Sequence, residues 1–368
     1  MLGVSRYAHL PKRPQDPVSD DTFGLRQLES AATSAVRFAR WMTTSYNRPD
    51  APLADLWLLL SPSAKERRKL TDEERAAPAA LRDDVRAALD AWKKACEADR
   101  DGIAVFYASG HGIALGPHEG GIVLLEDFNA EPDRRMERTL SVVDARSGLA
   151  GPQAPKRQFW FLDACEPLPE HRGVVLRPAG LPGWNGHLPE HTDVSALFMS
   201  AVVGELAFGK PGEGTIFSAA LEECLGLRAV GLDDGGGWVI KDTTLGRRLK
   251  ERVAALAHEA GTAQRADFGG RPGEVPFHVL ESPPRLPVTV SVLPDAARAS
   301  AFGTLSAGPD GTVFAGESLQ APVTRTVAAG NYILQVAINP PADSFADKEL
   351  PWFVAPNLPD TVEVEVGG

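Results

Sequence analysis

The chain has 368 residues, of which 43% are hydrophobic and 24% charged, and these proportions exclude a largely disordered protein. Its formal net charge of −11 argues against non-specific binding to nucleic acid or to an anionic membrane. Cys96, Cys165 and Cys224 are far apart in sequence, which predicts a reducing compartment and neither a disulfide framework nor a zinc site. With no apolar signal core and no stretch of bilayer length, the sequence predicts a soluble, cytoplasmic protein of two or three domains.

The first part of the chain alternates between amphipathic segments and short apolar runs. Apolar residues at three- and four-residue steps predict helices, and apolar runs closed by turn residues predict buried strands. The predicted order is a strand tail at 2–7, a helix at 25–42, a strand at 56–60, a helix at 81–98 and a strand at 102–107. This alternation predicts a parallel sheet with helices on both faces.

Residues 158–165, Gln-Phe-Trp-Phe-Leu-Asp-Ala-Cys, contain the next predicted strand and the first candidate reactive group. The apolar run from Phe159 to Leu162 predicts a strand buried on both faces, and Asp163 and Cys165 follow where it leaves the sheet. In open α/β sheets, ligands gather at the carboxyl ends of the strands. Cys165 is therefore placed as a nucleophile would be, although free cysteines are often buried and purely structural.

A histidine follows another predicted strand. His111 lies between Gly110 and Gly112, just past the strand at 102–107. Flanking glycines let the backbone turn sharply and approach a ligand closely. A lone histidine is more often a surface residue than a catalyst. Two reactive side chains at two strand ends of one sheet, His111 and Cys165, indicate a site.

The segments Tyr107-Ala-Ser-Gly-His-Gly and Phe161-Leu-Asp-Ala-Cys together resemble the histidine and cysteine motifs of the caspase-like cysteine peptidases. Within that clan the segments are most similar to those of metacaspases and their bacterial relatives, over roughly residues 1–280. The resemblance implies a caspase-like α/β fold and peptide-bond hydrolysis by a dyad of Cys165 and His111. A thiol with a usual pKa of about 8.5 needs such a neighbour at neutral pH. The resemblance also implies an oxyanion hole formed by the backbone N–H groups of Gly112 and Cys165.

The residue preferred before the scissile bond is left between two alternatives. In metacaspases, an Asp two residues before the cysteine lines an acidic pocket for Arg or Lys, and Asp163 matches that position; Glu205 is a second candidate. Family members usually carry another Asp early in the first helix, where this chain offers Ser34 or Ala31. Arg26 instead resembles the basic residue with which caspases hold Asp, and Asp163 could also be structural. The resemblance favours a basic preference.

Residues 167–195 are rich in Pro, Gly and His, which predicts a linker between a large part, 1–166, and a small part, 196–284. Caspase-like enzymes are often cut between these parts. By resemblance, Arg172 and Arg177 are therefore candidate processing sites for the enzyme itself or for an upstream protease. An ordinary surface loop that is never cut is an equal alternative.

After the linker, the pattern predicts a helix at about 215–225, a strand at 238–240, a helix at 243–260 and a strand at 276–280. Some metacaspases require calcium, and Asp233 and Asp234 could bind it, but two adjacent carboxylates are weak evidence. No other metal and no cofactor is predicted.

The character of the chain changes after Pro284. Residues 285–368 alternate apolar and polar residues between turn residues, which predicts an antiparallel β-sandwich of the immunoglobulin or transthyretin type. This sandwich domain would follow a peptidase domain of residues 1–284. It would either recognise a partner or substrate, or serve as a structural prop.

The sequence thus predicts a caspase-like cysteine endopeptidase that acts on protein substrates after Arg or Lys. The family association suggests bacterial stress response or phage defence, with activation by cleavage in a proteolytic cascade. The alternative is a catalytically silent caspase-fold module that recruits partners through the sandwich. The presence of both His111 and Cys165 favours the enzyme, because a scaffold needs neither.

Overall fold

The computed structural model describes residues 1–13, 15–18, 22–114, 121–165, 181, 184, 191–202, 205–307, 311–339, 345–356 and 358–367. The chain divides into two compact units. The first comprises residues 1–226 and 241–278, and the second comprises residues 227–240 and 279–368. The sequence-based boundary after residue 284 stays a prediction. None of the helices in the described segments has both the length and the apolar character needed to span a bilayer.

The helices in the described segments, numbered in chain order, are α1 Ala31–Thr44, α2 Ala64–Arg67, α3 Asp72–Arg75, α4 Arg82–Ala98, α5 Val142–Gly148, α6 Ile216–Glu223 and α7 Asp242–Glu259. Two 3₁₀ segments and one π turn accompany them, at Pro132–Arg138, Asp295–Ser300 and Cys224–Arg228. The strands up to residue 215 are β1 Leu2–Val4, β2 Leu59–Ser61, β3 Ile103–Gly110, β4 Gly112–Ile113, β5 Ile122–Leu124, β6 Thr139–Ser141, β7 Arg157–Ala164, β8 Val194–Met199, β9 Gly209–Lys210 and β10 Gly214–Thr215. The later strands are β11 Val230–Leu232, β12 Trp238–Lys241, β13 Asp267–Arg271, β14 Pro276–Val279, β15 Arg285–Leu293, β16 Ala301–Ser306, β17 Thr312–Ser318, β18 Val323–Ala328, β19 Gly330–Ile338, β20 Lys348–Val354 and β21 Thr361–Glu365.

The centre of the first unit is a six-stranded sheet in the order β13-β8-β7-β3-β1-β2. Its strands run parallel except β13, which pairs antiparallel with β8 at one edge. The predicted mostly parallel sheet with flanking helices is therefore confirmed. Strands β3 and β7 lie at its centre, where their continuous apolar runs are covered on both faces. Helix α1 approaches β1 so closely that a Cβ on Gly3 would lie 2.8 Å from the Ala32 Cα atom.

The predicted helix at 25–42 starts late, at Ala31, so the prediction is wrong for residues 25–30. The side chain of Gln27 explains why. Its Oε1 atom accepts from the backbone N–H of Tyr7, and its Nε2 atom donates to the carbonyl oxygens of Tyr7 and Leu10. These bonds hold the segment before α1 against the loop after β1. The helix therefore does not extend over residues 25–30, although the apolar residues there follow a helical period.

A cavity of about 300 Å³ lies at the amino ends of the strands, at the opposite edge of the sheet from His111 and Cys165. Strand β1 pairs with Ala108 and Ser109 at the far end of β3. The earlier β3 residues Ile103 and Val105 are consequently half-buried and line the cavity.

In the second unit, two sheets with the orders β18-β15-β21 and β17-β16-β19-β20 share one apolar core. In strand β19, for example, buried and exposed residues alternate along the strand, so that one face of the strand contributes to this core. The predicted β-sandwich is confirmed, but the prediction of a wholly antiparallel arrangement is wrong for one pair. Strands β15 and β21 run parallel, since the last strand returns beside the first strand of the sandwich.

Candidate active site

The candidate site begins where two neighbouring strands end. In the parallel pair β3 and β7, Gly110 lies opposite Ala164, so His111 and Cys165 are the next residues on adjacent strands. Adjacent strands are about 4.8 Å apart, which brings these two residues side by side. The following residue, Gly112, lies against Cys165. A Cβ on Gly112 would overlap the carbonyl oxygen of Cys165, so this close approach requires glycine.

His111 is 8% exposed, and both its backbone and its ring make hydrogen bonds. Its backbone N–H donates to the Tyr7 hydroxyl over 2.7 Å, and its ring packs against the Tyr7 ring. The ring atom Nε2 lies 2.6 Å from the carbonyl oxygen of Arg26. A carbonyl can only accept, so Nε2 carries the proton and Nδ1 is the nitrogen that can accept one. Burial lowers the pKa of His111 to about 4, which keeps the ring neutral at pH 7.

Cys165 is half-buried, and its sulfur contacts one residue of the loop between β8 and β9. The backbone N–H of Ala207 donates to Sγ over 3.0 Å, and Sγ lies 3.3 Å from the Ala207 carbonyl oxygen. Burial raises the pKa of the Cys165 thiol, and the N–H of Ala207 opposes that shift by stabilising the thiolate. Because burial dominates, the thiol is protonated at neutral pH and needs a base in order to react.

Asp163 is buried, and its two carboxylate oxygens differ sharply in their partners. Oδ2 accepts from the hydroxyls of Tyr107, Ser109 and Thr215, at distances of 2.8, 3.0 and 2.6 Å. Oδ1 is buried without a hydrogen-bond partner in the described part of the chain. Burial raises the pKa of Asp163 to about 6, although the three hydroxyl bonds favour the charged form.

The two motifs therefore meet at one edge of one sheet. A scan of family models matches the "Caspase domain" over residues 73–259, which is about half of the chain and includes both strand ends. The chain belongs to the caspase family. Its predicted membership of the caspase-like cysteine peptidases is confirmed at that level.

Further comparisons of this caspase-family chain give one negative and two weak positive results. A search of curated proteins finds no significant match. Among solved structures, the chain is similar to caspase-1 from Spodoptera frugiperda, with 13% identity and a TM-score of 0.42 over 73% of this chain and 84% of that one. A structure of pro-sf-caspase-1 gives the same identity, score and coverage of this chain, and 85% coverage of its own.

Ser34, on α1 of the caspase-family chain, lies beside the group that holds Asp163. Its hydroxyl is 2.9 Å from the Ser218 hydroxyl and accepts from the backbone N–H of Thr215 over 2.9 Å. Thr215 in turn caps α6 by accepting from the N–H of Ser218, and donates to Asp163. Of the two residues offered by the sequence for a second acidic position, Ser34 lies in this hydroxyl cluster. The carbonyl of Ala31 instead lies near Gly3 of β1.

Two other predicted site residues have different surroundings. Glu205 forms an ion pair with Arg265, whose side chain is 71% exposed. The guanidinium of Arg26 donates to the carbonyl of Arg13, and the contact of Arg26 with His111 is made by its backbone. Asp163, by contrast, is two residues from Cys165 on the same strand end. The structure thus brings together His111, Cys165, Gly112 and Asp163.

Some predicted residues lie outside the described part of the chain, namely the candidate processing sites Arg172 and Arg177. Later in the predicted linker sequence, Trp184 is buried, packs against Trp92 and donates to Asp90. The described segments contain no group of three or more His, Cys, Asp or Glu residues suited to a metal ion. Of the two candidate calcium ligands, Asp233 accepts from the backbone N–H groups of Gly235 and Gly237 in a turn.

The residues at the site that sequence reasoning missed include Tyr7, Ala207 and Thr215. Tyr7 holds the backbone of His111, Ala207 contacts the sulfur, and Thr215 bonds to Asp163. Thr215 alone had a usable signal, because a Thr before an apolar helical segment predicts a helix cap whose hydroxyl is locally fixed. The positions of Tyr7 and Ala207 depend on loop paths that no periodicity encodes.

Proposed function

We propose that the protein is a cysteine endopeptidase in which Cys165 is the nucleophile and His111 is the general base. The observation that carries the proposal is the position of these two residues directly after neighbouring residues of adjacent parallel strands, with Nε2 of His111 bound to a carbonyl oxygen. That bond orients the imidazole and leaves Nδ1 as its basic nitrogen. General base catalysis of this kind typically contributes about 10²- to 10⁴-fold to the rate.

The proposed reaction follows from the protonation states. The raised pKa of the Cys165 thiol and the lowered pKa of His111 favour a neutral pair at rest, so the thiol proton moves to Nδ1 as sulfur attacks the substrate carbonyl. His111 then donates this proton to the leaving amine, and water hydrolyses the thioester. Backbone N–H groups of Gly112 and Cys165 are the proposed oxyanion hole, each such donor being worth about 3–4 kcal/mol.

The contact between Ala207 and the sulfur belongs, on this proposal, to a resting state. Substrate has to reach Sγ, and Ala207 approaches the sulfur with both its N–H and its carbonyl. The backbone N–H of the next residue, Phe208, donates to the side chain of Gln264, which holds the loop between β8 and β9 in place. A substrate backbone would replace Ala207 at the thiol without disturbing this tether.

For the residue before the scissile bond we propose Arg or Lys, bound by Asp163. Among the described residues, one oxygen of this buried carboxylate has no hydrogen-bond donor, which suits a cationic side chain because such an acceptor is costly to leave unpaired. Glu205 remains a second candidate but would have to release Arg265. Arg26 remains the candidate for an acidic preference, although its guanidinium is directed to Arg13.

We further propose that protein substrates are cleaved in a proteolytic cascade of bacterial defence or stress response, with activation by a cut near Arg172 or Arg177. Support for the cascade is the family association alone. A silent scaffold remains the second candidate function. It is favoured by the half-buried thiol, whose pKa burial raises and whose sulfur already has a backbone partner.

The deciding experiment compares wild type, Cys165→Ala and Cys96→Ala on fluorogenic peptides that end in Arg, Lys, Asp or Leu, with and without calcium. Cys96 is a matched control, because it is also a half-buried free cysteine but lies on α4. We expect hydrolysis after Arg or Lys by wild type and Cys96→Ala, and none by Cys165→Ala. Hydrolysis after Asp would move the binding role to Arg26. Failure on every peptide, also after nicking within residues 167–195, would favour the scaffold.

A further inference from the structure

The two oxygens of Asp163 suggest a finer selectivity within the basic preference, and this inference rests on the proposed function. Oδ2 already accepts from three hydroxyls within 3.0 Å, those of Tyr107, Ser109 and Thr215. A carboxylate has about four lone-pair sites shared by two oxygens, so three donors saturate Oδ2. Oδ1 is buried and has no partner in the described segments. The carboxylate therefore offers a ligand one oxygen rather than two.

Lysine and arginine differ in how many oxygens they use. A guanidinium binds a carboxylate best as a fork, with two parallel N–H bonds to both oxygens. An ammonium is a compact charge with three rotatable donors, and it can bond fully to a single oxygen. At Asp163 the fork would have to displace a hydroxyl from Oδ2, whereas an ammonium needs only Oδ1.

The surrounding side chains complete the argument. Ser34 and Ser218 place hydroxyl oxygens, which can accept, beside Thr215 at the same end of α6. A buried ammonium has three N–H bonds to satisfy, and a buried guanidinium has five. Position 34 carries a serine, so this cluster offers hydroxyl oxygens and no second carboxylate. A second carboxylate here could have bound the guanidinium N–H groups of an arginine substrate that Asp163 leaves unpaired.

We infer that Asp163 selects lysine over arginine, and that the hydroxyls of Tyr107 and Ser109 determine this selectivity by occupying Oδ2 of Asp163. These residues are specificity-determining through Asp163 and need no contact with the substrate.

The test measures kcat/KM for two peptides that differ only in Lys or Arg before the reporter, in wild type, Tyr107→Phe, Ser109→Ala and the double variant. Wild type should prefer lysine by about tenfold, the difference expected from one charge-assisted hydrogen bond. Each single variant removes one of the three donors to Oδ2, and the double variant leaves Thr215 as the one donor of the three, so the ratio should move toward arginine, furthest in the double variant. Because both peptides are compared on one preparation, the ratio does not depend on the folded fraction. Thr215 is left unchanged because it also caps α6.

Tyr332→Phe is the matched control, because it also removes a buried tyrosine hydroxyl bond, to the carbonyl of Ala328 in the sandwich. Its ratio should equal that of wild type. Cys165-dependent cleavage with arginine equal to or better than lysine would overturn the inference and leave the peptidase intact. A ratio unmoved in the double variant would also overturn it. Cleavage after Asp or Leu alone would overturn both this inference and the proposed basic preference.

A binding measurement covers the case in which no peptide is cut. The melting temperature of Cys165→Ala is measured with millimolar peptide amides ending in Lys or Arg. A larger rise with the lysine peptide supports the inference, and equal rises or none contradict it.

Discussion

The carboxyl edge of the caspase sheet and the core of the β-sandwich bury very different groups. At the sheet edge, His111, Asp163, Ser109 and Ser34 are all buried, and one Asp163 oxygen has no described partner. In the described part of the sandwich, the buried side chains are hydrophobic apart from Ser291 on β15. Burying polar groups costs free energy unless each of them is paired, whereas burying apolar surface is favourable. Burial in the sandwich core therefore favours stability, whereas burial at the sheet edge carries a cost that the proposed function would explain.

The comparison predicts that polar groups at the sheet edge control activity and that apolar groups in the sandwich control stability. The largest expected effect is at His111. Replacing it as His111→Gln removes the proposed base, so kcat/KM should fall about 10²- to 10⁴-fold, equivalent to about 3–5 kcal/mol. Peptide hydrolysis by purified protein measures this.

His278→Gln is the matched control for His111. His278 is also 8% exposed, its pKa is also lowered by burial, and its Nδ1 accepts from the backbone N–H of Asn47. It lies on β14 and packs against Trp41 of α1. Comparable activity losses in both variants would show that a buried histidine matters for folding alone and would contradict the assignment of His111.

The second prediction concerns the sandwich. Leu334→Ala empties a fully buried position on β19 and should lower the free energy of unfolding by about 2–5 kcal/mol. Its neighbour Ile333 is 39% exposed, so Ile333→Ala should change stability by about 0.5 kcal/mol or less. Urea titration measures both. Peptide hydrolysis below the transition should be unchanged in both variants, and a selective loss in Leu334→Ala would give the sandwich a role in catalysis.

The third prediction follows from the pKa of Asp163, which burial raises to about 6. The folded state then holds a proton between pH 4 and 6 that the unfolded state releases, so this group favours folding at low pH and loses that effect as pH rises. Asp163→Asn removes the titration. Its stability relative to wild type should therefore increase from pH 4 to pH 7, by up to about 3 kcal/mol at 1.4 kcal/mol per pH unit.

His111 provides the opposite slope. Burial lowers its pKa to about 4, so its neutral form favours folding above pH 6.5, and that contribution is lost as pH falls through 4. His111→Gln should accordingly lose stability relative to wild type as pH rises from 4 to 6.5. Urea midpoints across this range give both slopes, with Asp55→Asn, at an exposed loop position, as the control. If the stability differences of Asp163→Asn and His111→Gln from wild type changed with pH in the same direction, burial would not explain the pKa of one of the two groups.

Much of the first unit could be predicted from sequence because its signals are local. The apolar runs of β3 and β7 and the periodicity of α4 predict their elements within a few residues, and motif residues at strand ends predict that His111 and Cys165 are neighbours. The sandwich is predictable for the same reason, from period-two alternation as in β19.

The remaining features depend on contacts between residues distant in sequence. Tyr7 reaches His111 across 104 residues, and Thr215 reaches Asp163 across 52. The loop at Ala207 is positioned by the bond between Phe208 and Gln264. The early part of the predicted first helix failed because Gln27 bonds to the backbone of Tyr7. No pattern within a window of ten or twenty residues contains this information.

The smallest expected effect concerns the second acidic candidate. Glu205 is paired with Arg265 near the surface, where solvent screens the attraction, so exposed pairs of this kind contribute little to stability. If Asp163 alone binds the basic side chain, Glu205→Gln should change kcat/KM for lysine and arginine peptides by less than about threefold, whereas Asp163→Asn should abolish the basic preference. Arg265→Ala frees the Glu205 carboxylate and tests the same point in reverse. An increase in arginine cleavage in Arg265→Ala would show that the half-buried carboxylate of Glu205 shares the binding, and Asp163 would then not determine the basic preference alone.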